Sequence, residues 1–187
     1  MPPGSRESAP GVVLAAACTG VRGMIERGKH RLIIFDADGT LRRCTVSGQK
    51  CPNADDQWEL LPNVKEKFLE IDREFAAFGI ASNQAGVHYG YLSERMAYRL
   101  LEDMMIEITG CIPPPGTIQM CTHSPTAGCA CRKPHPLMLQ RLMRMLEVSP
   151  ARTLFIGDME SDERAAGNAG CDFLWAHEFF SRELAGS

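Results

Sequence analysis

The stretch Leu32-Ile33-Ile34-Phe35-Asp36-Ala37-Asp38-Gly39-Thr40-Leu41 decides the fold of this chain. Its first four residues form a continuous apolar run, which is typical of a strand buried on both faces of a parallel sheet. Two aspartates follow directly, separated by one residue. Carboxylates this close repel each other unless a cation neutralises them or one is protonated. The stretch therefore predicts an interior strand with charged chemistry at its carboxyl end.

Downstream of this strand, the sequence alternates between short apolar runs and amphipathic segments. Apolar residues at helical spacing predict four helices. The first covers 64–75, with Asn63 as N-cap and Gly79 as stop, and the second is capped by Ser93 and carries the stripe Met96, Leu100, Met104 and Ile108. The other two lie around 139–146 and 165–169. Further strands are predicted at 79–82, 117–120, 153–156 and 173–175. Repeated strand–helix units imply an α/β fold, a three-layer Rossmann-like parallel sheet with helices on both faces and no separate cap domain.

Length and composition limit the class of protein. The chain has 187 residues, of which 44% are hydrophobic and 23% charged, as expected for one globular domain. A net charge of −3 argues against broad electrostatic binding of nucleic acid or membrane. No apolar run reaches the roughly 20 residues that cross a bilayer. We therefore expect neither nucleic acid nor a membrane as a partner. We also expect a monomer.

The amino-terminal residues differ in character from the rest. Residues 12–17 are apolar and precede Cys18, so they faintly resemble an export signal, but the run is short and only Arg6 supplies a positive charge before it. We expect residues 1–29 to be a flexible leader, 30–187 to form the domain, and the protein to be cytoplasmic.

Four of the possible metal ligands are clustered. Cys121-x-His123-x5-Cys129-x-Cys131 supplies the complement of a closed tetrahedral Zn²⁺ site. Four protein ligands leave no open position, so such a zinc is structural and would stabilise an otherwise irregular loop. Free thiols that cluster by chance are the alternative. For Cys44 and Cys51, we favour unpaired surface or packing cysteines over a second zinc.

A second site is predicted from carboxylates. Asp36, Asp38 and Asp158 each follow an apolar run, and ligands of parallel sheets bind beyond the carboxyl ends of the strands. An oxygen-only site with open positions suits Mg²⁺. Taken alone, Asp-x-Asp-Gly is equally compatible with a simple turn.

The order of these motifs extends the argument. Asp-x-Asp-Gly-Thr-Leu, Ser82, Lys133 and Gly157-Asp158-x-x-x-Asp162 occur in sequence, each at the end of a predicted strand except the lysine. This arrangement, over about residues 31–175, resembles the haloacid dehalogenase (HAD) superfamily of phosphohydrolases. The resemblance implies a role for each residue: nucleophile (Asp36), general acid and base (Asp38), phosphoryl contacts (Ser82 and Lys133), Mg²⁺ ligands (Asp36, the backbone carbonyl of Asp38, and Asp158) and support of that metal site (Asp162).

The cysteine loop narrows the resemblance. Cys131 is followed by Arg132-Lys133-Pro134, and Ser82 by Asn83-Gln84-Ala85-Gly86-Val87. Together these look like the capless branch that contains histidinol-phosphate phosphatases and heptose 1,7-bisphosphate 7-phosphatases. The branch implies substrate contacts by Asn83 and Arg132, whereas Gln84 would brace its loop. Tyr89 stands where an arginine is usual in the heptose type, which leaves the natural substrate open.

The predicted function is Mg²⁺-dependent hydrolysis of a small phosphorylated metabolite, such as heptose bisphosphate, another sugar phosphate or histidinol phosphate, through an aspartyl-phosphate. One alternative is a phosphatase that processes the ends of polynucleotides, although the sequence has no basic, aromatic-interleaved groove. Another is a zinc-stabilised binding or regulatory module whose catalytic centre is vestigial.

Overall fold

The computed structural model describes residues 29–71 and 76–181. Its strands are β1 (Leu32–Phe35), β2 (Arg42–Cys44), β3 (Trp58–Leu60), β4 (Ala77–Asn83), β5 (Ile118–Cys121), β6 (Thr153–Gly157) and β7 (Asp172–Trp175). Five of them form a parallel sheet in the order β5-β4-β1-β6-β7. The apolar run of the opening stretch is therefore the central strand, with Ile34 in register with Gly79 on one side and Phe155 on the other.

Helices cover both faces of this sheet, as the sequence predicts. They are α1 (Val64–Glu70), α2 (Glu94–Thr109), α3 (Leu137–Met145), α4 (Glu160–Ala169) and α5 (Ala176–Ser181). Successive residues of β1 point to opposite faces. Ile33 and Phe35 enter a core with residues of α1, α2 and α5, whereas Leu32 and Ile34 enter a core with residues of α3 and α4. The three-layer α/β fold is confirmed.

The ends of the helices agree in part with the sequence. The hydroxyl of Ser93 accepts a hydrogen bond from the backbone N–H of Met96 at 3.1 Å, so it caps α2 as predicted. Asn63 precedes α1 in a left-handed conformation, φ 64°, and its side chain makes no capping bond. Gly79 does not stop a helix but lies inside β4. Phe75, predicted as the last apolar position of α1, lies outside the described residues.

One pair of strands was not predicted. The polar segment after β1 forms an antiparallel hairpin, β2–β3, in which Arg43 pairs with Glu59. The hairpin precedes α1 and is, within residues 29–71 and 76–181, the only sheet besides the main one; an isolated bridge joins Asp38 to Arg42. The predicted leader lies outside the described residues apart from Lys29. No helix in the described part of the chain is long and apolar enough to cross a membrane.

Candidate active site

A buried lysine and two carboxylates form the centre of the candidate site. Asp36 follows β1 directly, and its backbone N–H bonds the carbonyl of Ile156 at 2.9 Å, which fixes it between β1 and β6. The Nζ of Lys133 lies 2.6 Å from Oδ1 of Asp36 and 2.7 Å from Oδ1 of Asp162. All three residues are buried. Residues up to 126 positions apart in the chain thus share one cluster, because the strands that precede them, β1, β5 and β6, end at the same edge of the sheet.

The charges of this cluster do not balance. Burial raises the pKa of Asp36 to about 7, an effect that Lys133 opposes and that Asp162 strengthens. Burial lowers the pKa of Lys133, but the two carboxylates outweigh it and raise that pKa above its ordinary value. The lysine therefore stays protonated. One ammonium cannot neutralise Asp36, Asp162 and the adjacent Asp158, so two negative charges remain when all three are ionised.

Asp158 completes the carboxylate group. Oxygen atoms of Asp36, Asp158 and Asp162 lie within 4.8 Å of one another, a grouping that could hold a metal ion. Thr40 donates a hydrogen bond from Oγ1 to Oδ1 of Asp158 at 3.1 Å. Burial and the charge of Asp162 raise the pKa of Asp158. The Thr of the Asp-x-Asp-Gly-Thr motif therefore connects the loop after β1 to the loop after β6.

Asp38 is held separately from this group. Its Oδ1 accepts a bond from Nε of Arg42 at 2.8 Å, and its Oδ2 accepts one from Nε2 of Gln84 at 2.8 Å. The same Nε2 bonds Oγ of Ser82 at 2.8 Å. Ser82 is an acceptor in that bond, so its own O–H is the donor that it can offer to a phosphoryl oxygen.

The predicted substrate contacts lie on either side of the lysine. The side chain of Asn83 bonds the backbone of Lys133 twice: Oδ1 accepts from the N–H at 3.1 Å and Nδ2 donates to the carbonyl at 3.3 Å. Asn83 thereby fixes the lysine relative to β4. Arg132 is half-buried, and its Nη1 lies 3.5 Å from the carbonyl oxygen of His123.

The four predicted zinc ligands converge on one point. Sγ of Cys131 lies 3.2 Å from Sγ of Cys121 and 3.2 Å from Nδ1 of His123. Cys121 lies 3.5 Å from His123, Cys129 lies 3.6 Å from each of the other two sulfurs, and all four ligand atoms lie within 4.8 Å of one another. Among the described residues, this cluster and the carboxylate group are the two sets that could bind a metal. Cys44 and Cys51 belong to neither.

Sequence reasoning missed two contacts at this site. Gln84 was expected only to brace its loop, yet it bonds the carboxylate of Asp38. Arg42 was expected only to flank the opening of the site as part of the polar segment 42–61, yet it is fully buried against the carboxylate of Asp38. Neither had a signal in the sequence, because an arginine in a polar segment is usually exposed.

The sequence is similar to a protein family and to curated relatives. A HAD-hydrolase-like family model matches residues 130–178. The chain is 32% identical over 145 residues to the D-glycero-β-D-manno-heptose-1,7-bisphosphate 7-phosphatase of Bordetella bronchiseptica, a match that covers 75% of this chain and 77% of the relative. It is 31% identical over 144 residues to the enzyme of the same name from Pseudomonas aeruginosa, which covers 75% of this chain and 77% of that one.

A solved structure shows the same fold. The D,D-heptose 1,7-bisphosphate phosphatase from B. bronchiseptica, crystallised with magnesium and phosphate, superposes with a TM-score of 0.64 at 28% identity, covering 76% of this chain and 78% of that one. Sequence similarity and fold agree over most of both chains. This chain therefore belongs to the phosphatases of the haloacid dehalogenase superfamily.

Proposed function

We propose that this chain hydrolyses a small sugar phosphate with the help of Mg²⁺, through an aspartyl-phosphate formed on Asp36. The observation that supports it best is the buried contact of Lys133 with Asp36 and Asp162, beside Asp158. Two uncompensated negative charges in a buried site are unfavourable without a cation. A divalent cation held by these carboxylates would cancel the two charges, so that the phosphoryl group would meet a neutral site rather than a repulsive one.

The donor atoms fit Mg²⁺. They are carboxylate oxygens, which hard cations prefer. Lys133 binds Oδ1 of Asp162 and the backbone N–H of Met159 binds its Oδ2 at 3.0 Å, so both oxygens are already engaged. Asp36, Asp158 and the backbone carbonyl of Asp38 are therefore the residues that would hold the ion, while Asp162 supports Lys133. When bound, Mg²⁺ withdraws negative charge from the phosphoryl oxygens.

The proposed reaction has two steps, in which Asp36 and Asp38 take the roles that the resemblance implies. A carboxylate oxygen of Asp36 attacks phosphorus, and the bond between phosphorus and the ester oxygen breaks. Asp38 donates its proton to the departing oxygen, so the sugar leaves as a neutral alcohol. Asp38, now ionised, takes a proton from a water molecule whose oxygen attacks the aspartyl-phosphate. Inorganic phosphate leaves, and Asp36 is restored as a carboxylate.

The remaining residues bind and orient the substrate. Ser82 donates its O–H to the transferring phosphoryl group, and the ammonium of Lys133 neutralises it. We assign Asn83 and Arg132 to substrate binding. The sugar-phosphate class is supported by the names of the relatives from Bordetella and Pseudomonas. Because Tyr89 replaces the arginine expected in the heptose type, we assign the class of sugar phosphates and not one particular sugar.

We also propose that the cysteine loop binds a structural Zn²⁺. With zinc–sulfur bonds of about 2.3 Å, the corners of a tetrahedral site lie about 3.8 Å apart. The three sulfur–sulfur separations here are 3.2 to 3.6 Å, a few tenths of an ångström shorter. Cys131 directly precedes Arg132 and Lys133, so a metal that fixes the loop also fixes the two cations of the site.

Hydrolysis of p-nitrophenyl phosphate tests the proposed reaction. Wild type should be active with Mg²⁺ and inactive after its removal, and Asp36→Asn should lose roughly 10³-fold or more because the amide is a poor nucleophile. Asp103→Asn, a matched change on α2, should keep wild-type activity. Equal rates in wild type and Asp36→Asn, or none in either, would contradict the proposal.

A panel of substrates then tests the class. Heptose 1,7-bisphosphate, simpler sugar phosphates, histidinol phosphate and a 5′-phosphorylated oligonucleotide are compared by kcat/KM. We expect a sugar phosphate to exceed the others by at least about tenfold, which is ~1.4 kcal/mol of transition-state binding. Preference for the oligonucleotide would instead favour end processing of polynucleotides.

A further inference from the structure

Arg42 is an unusual residue for its position. It lies at the start of β2, six residues after Asp36, and is 0% exposed. Its Nε donates to Oδ1 of Asp38 at 2.8 Å, and its Nη1 donates to the backbone carbonyl of Leu100 in α2 at 2.9 Å. Its guanidinium carbon lies 5.9 Å from the ring centre of Trp58 in β3. One side chain therefore joins Asp38, the hairpin and a helix.

Stability alone does not account for this burial. Within the described residues, Nη2 of Arg42 has no hydrogen-bond partner, and neither has Nε1 of Trp58 beside it. Burying a charge costs free energy that a single ion pair seldom recovers, and apolar residues of similar volume usually serve a core better. An arginine that leaves a buried NH2 group unsatisfied is therefore better explained by what it does to Asp38.

Both oxygens of Asp38 are held by donors from different elements. Arg42 binds Oδ1 from the hairpin, and Gln84 binds Oδ2 from the loop after β4. A carboxyl group with two fixed donors has little freedom to rotate about its side-chain torsions. A general acid acts only within hydrogen-bond reach of the atom that it protonates, so this restriction bears directly on rate.

We propose that Arg42 is a positioning residue that aims Asp38 at the oxygen of the leaving group. The inference rests on the proposed function, in which Asp38 is the general acid. The anchor on Leu100 fixes the guanidinium to α2. The hairpin thereby acts on the chemical step through Asp38 and not through contact with the substrate.

The test compares two leaving groups. p-Nitrophenolate departs without a proton, whereas the alkoxide of glycerol 1-phosphate needs one. Arg42→Met removes the donors and keeps an unbranched side chain. We expect its kcat/KM to fall roughly 10²-fold for glycerol 1-phosphate and less than about threefold for p-nitrophenyl phosphate. The quantity kcat/KM is used because it covers the steps up to departure of the leaving group.

The matched control lies one residue along the same strand. Arg43 has an exposed side chain paired with Glu59, so Arg43→Met makes the same chemical change away from Asp38. It should leave kcat/KM unchanged for both substrates. Arg42→Lys, which keeps a charged donor, should recover part of the activity on glycerol 1-phosphate, and it also serves if Arg42→Met does not fold. Gln84→Met should show the same selectivity as Arg42→Met.

The outcomes separate this inference from the function on which it rests. Equal losses on both substrates mean that Arg42 is only structural, and no loss on either means that Asp38 does not need it; both overturn the proposal. Wild type that hydrolyses neither substrate overturns the proposed function itself, and the positioning role with it. Selective loss with the alkyl substrate, recovered in part by lysine, supports it.

Discussion

Gly39 lies where the loop after β1 approaches Asp158 most closely. Its φ is +95°, a region that residues with a side chain rarely adopt. A Cβ atom at this position would lie 2.2 Å from Oδ2 of Asp158, well inside van der Waals contact. Asp158 would have to move away. The position therefore requires glycine both for its backbone conformation and for the place of a proposed metal ligand.

Gly39→Ala should therefore weaken the binding of Mg²⁺ more than it lowers the stability of the fold. Displacement of Asp158 should raise the Mg²⁺ concentration for half-maximal activity about tenfold or more, equivalent to at least ~1.4 kcal/mol of binding. Gly48→Ala is the matched control, because its φ is +79° and no atom lies within 4 Å of the added Cβ. Both variants carry about 1–2 kcal/mol of backbone strain. If both change Mg²⁺ activation equally, strain and not Asp158 is responsible.

The residues of this site differ in how far the sequence reveals them. Asp36 was predictable because it directly follows an apolar strand, and ligands of parallel sheets bind beyond the carboxyl ends of the strands. The approach of Lys133 to Asp36 followed only from the resemblance, since an irregular loop lies between β5 and α3. The burial of Arg42 was not predictable, because it depends on Leu100 and Trp58, which are far away in sequence.

Among the elements, α2 and β6 were predicted well, whereas α1 ends at Glu70 and not at residue 75 as its apolar spacing predicts. The strand β6 differs from its prediction by one residue, and α2 begins after Ser93 as expected. The hairpin was missed because β2 and β3 have three residues each, too few for an alternating pattern to appear. Their positions depend on contacts with the site, which local sequence does not encode.

The cysteine loop after β5 carries a prediction at this scale. Cys131→Ser removes one of four ligands and should reduce bound zinc from about one per chain to a small fraction. kcat/KM should fall at least about tenfold, because Lys133 follows two residues later and loses its anchor. Burial raises the pKa of Cys121 to about 12, so zinc must displace a proton there and should be released on acidification.

Cys111→Ser is the matched control for the loop, because Cys111 is exposed and lies outside the cluster. It should retain zinc and activity. Metal analysis and kcat/KM are measured on the same samples. Wild type without zinc after purification in its presence would contradict the metal assignment. Full activity in a zinc-free Cys131→Ser would contradict the coupling of the loop to Lys133.

At the scale of the whole molecule, the candidate site lies on the central part of the sheet. Asp36 follows β1 and Asp158 follows β6, and the two strands are neighbours with cores on both faces. Such strands leave their rigid packing only when the domain unfolds. The repulsion among the site carboxylates therefore acts on the free energy of global unfolding and not on a local loop alone.

The pH dependence of this effect has a definite sign. Asp36 has an ordinary pKa of 3.8 and a folded pKa of about 7, so the folded state favours its protonated form. Its contribution to stability is fully present below pH 4 and is lost as pH rises towards about 7. Asp158 acts in the same direction. Asp172, whose pKa is lowered by bonds from His30 and Lys29, has the opposite effect but only below its ordinary value of 3.8.

Mg²⁺ should reverse this loss, and more strongly at high pH. Protons compete with the ion for Asp36 at pH 5, whereas at pH 8 this carboxylate is ionised. At about 100 times its Kd, Mg²⁺ stabilises the folded state by ~2.7 kcal/mol, which raises the Tm of a domain of this size by about 5–10 °C. We expect that gain at pH 8 and less than about half of it at pH 5, measured by thermal unfolding of zinc-loaded protein with and without Mg²⁺.

Asp36→Asn removes the repelling charge, so it should raise the Tm at pH 8 without Mg²⁺. Adding Mg²⁺ to this variant should then give only a small part of the wild-type gain in Tm. An equal gain at both pH values would show that Mg²⁺ binds elsewhere, because only ligands that titrate in this range make its effect depend on pH.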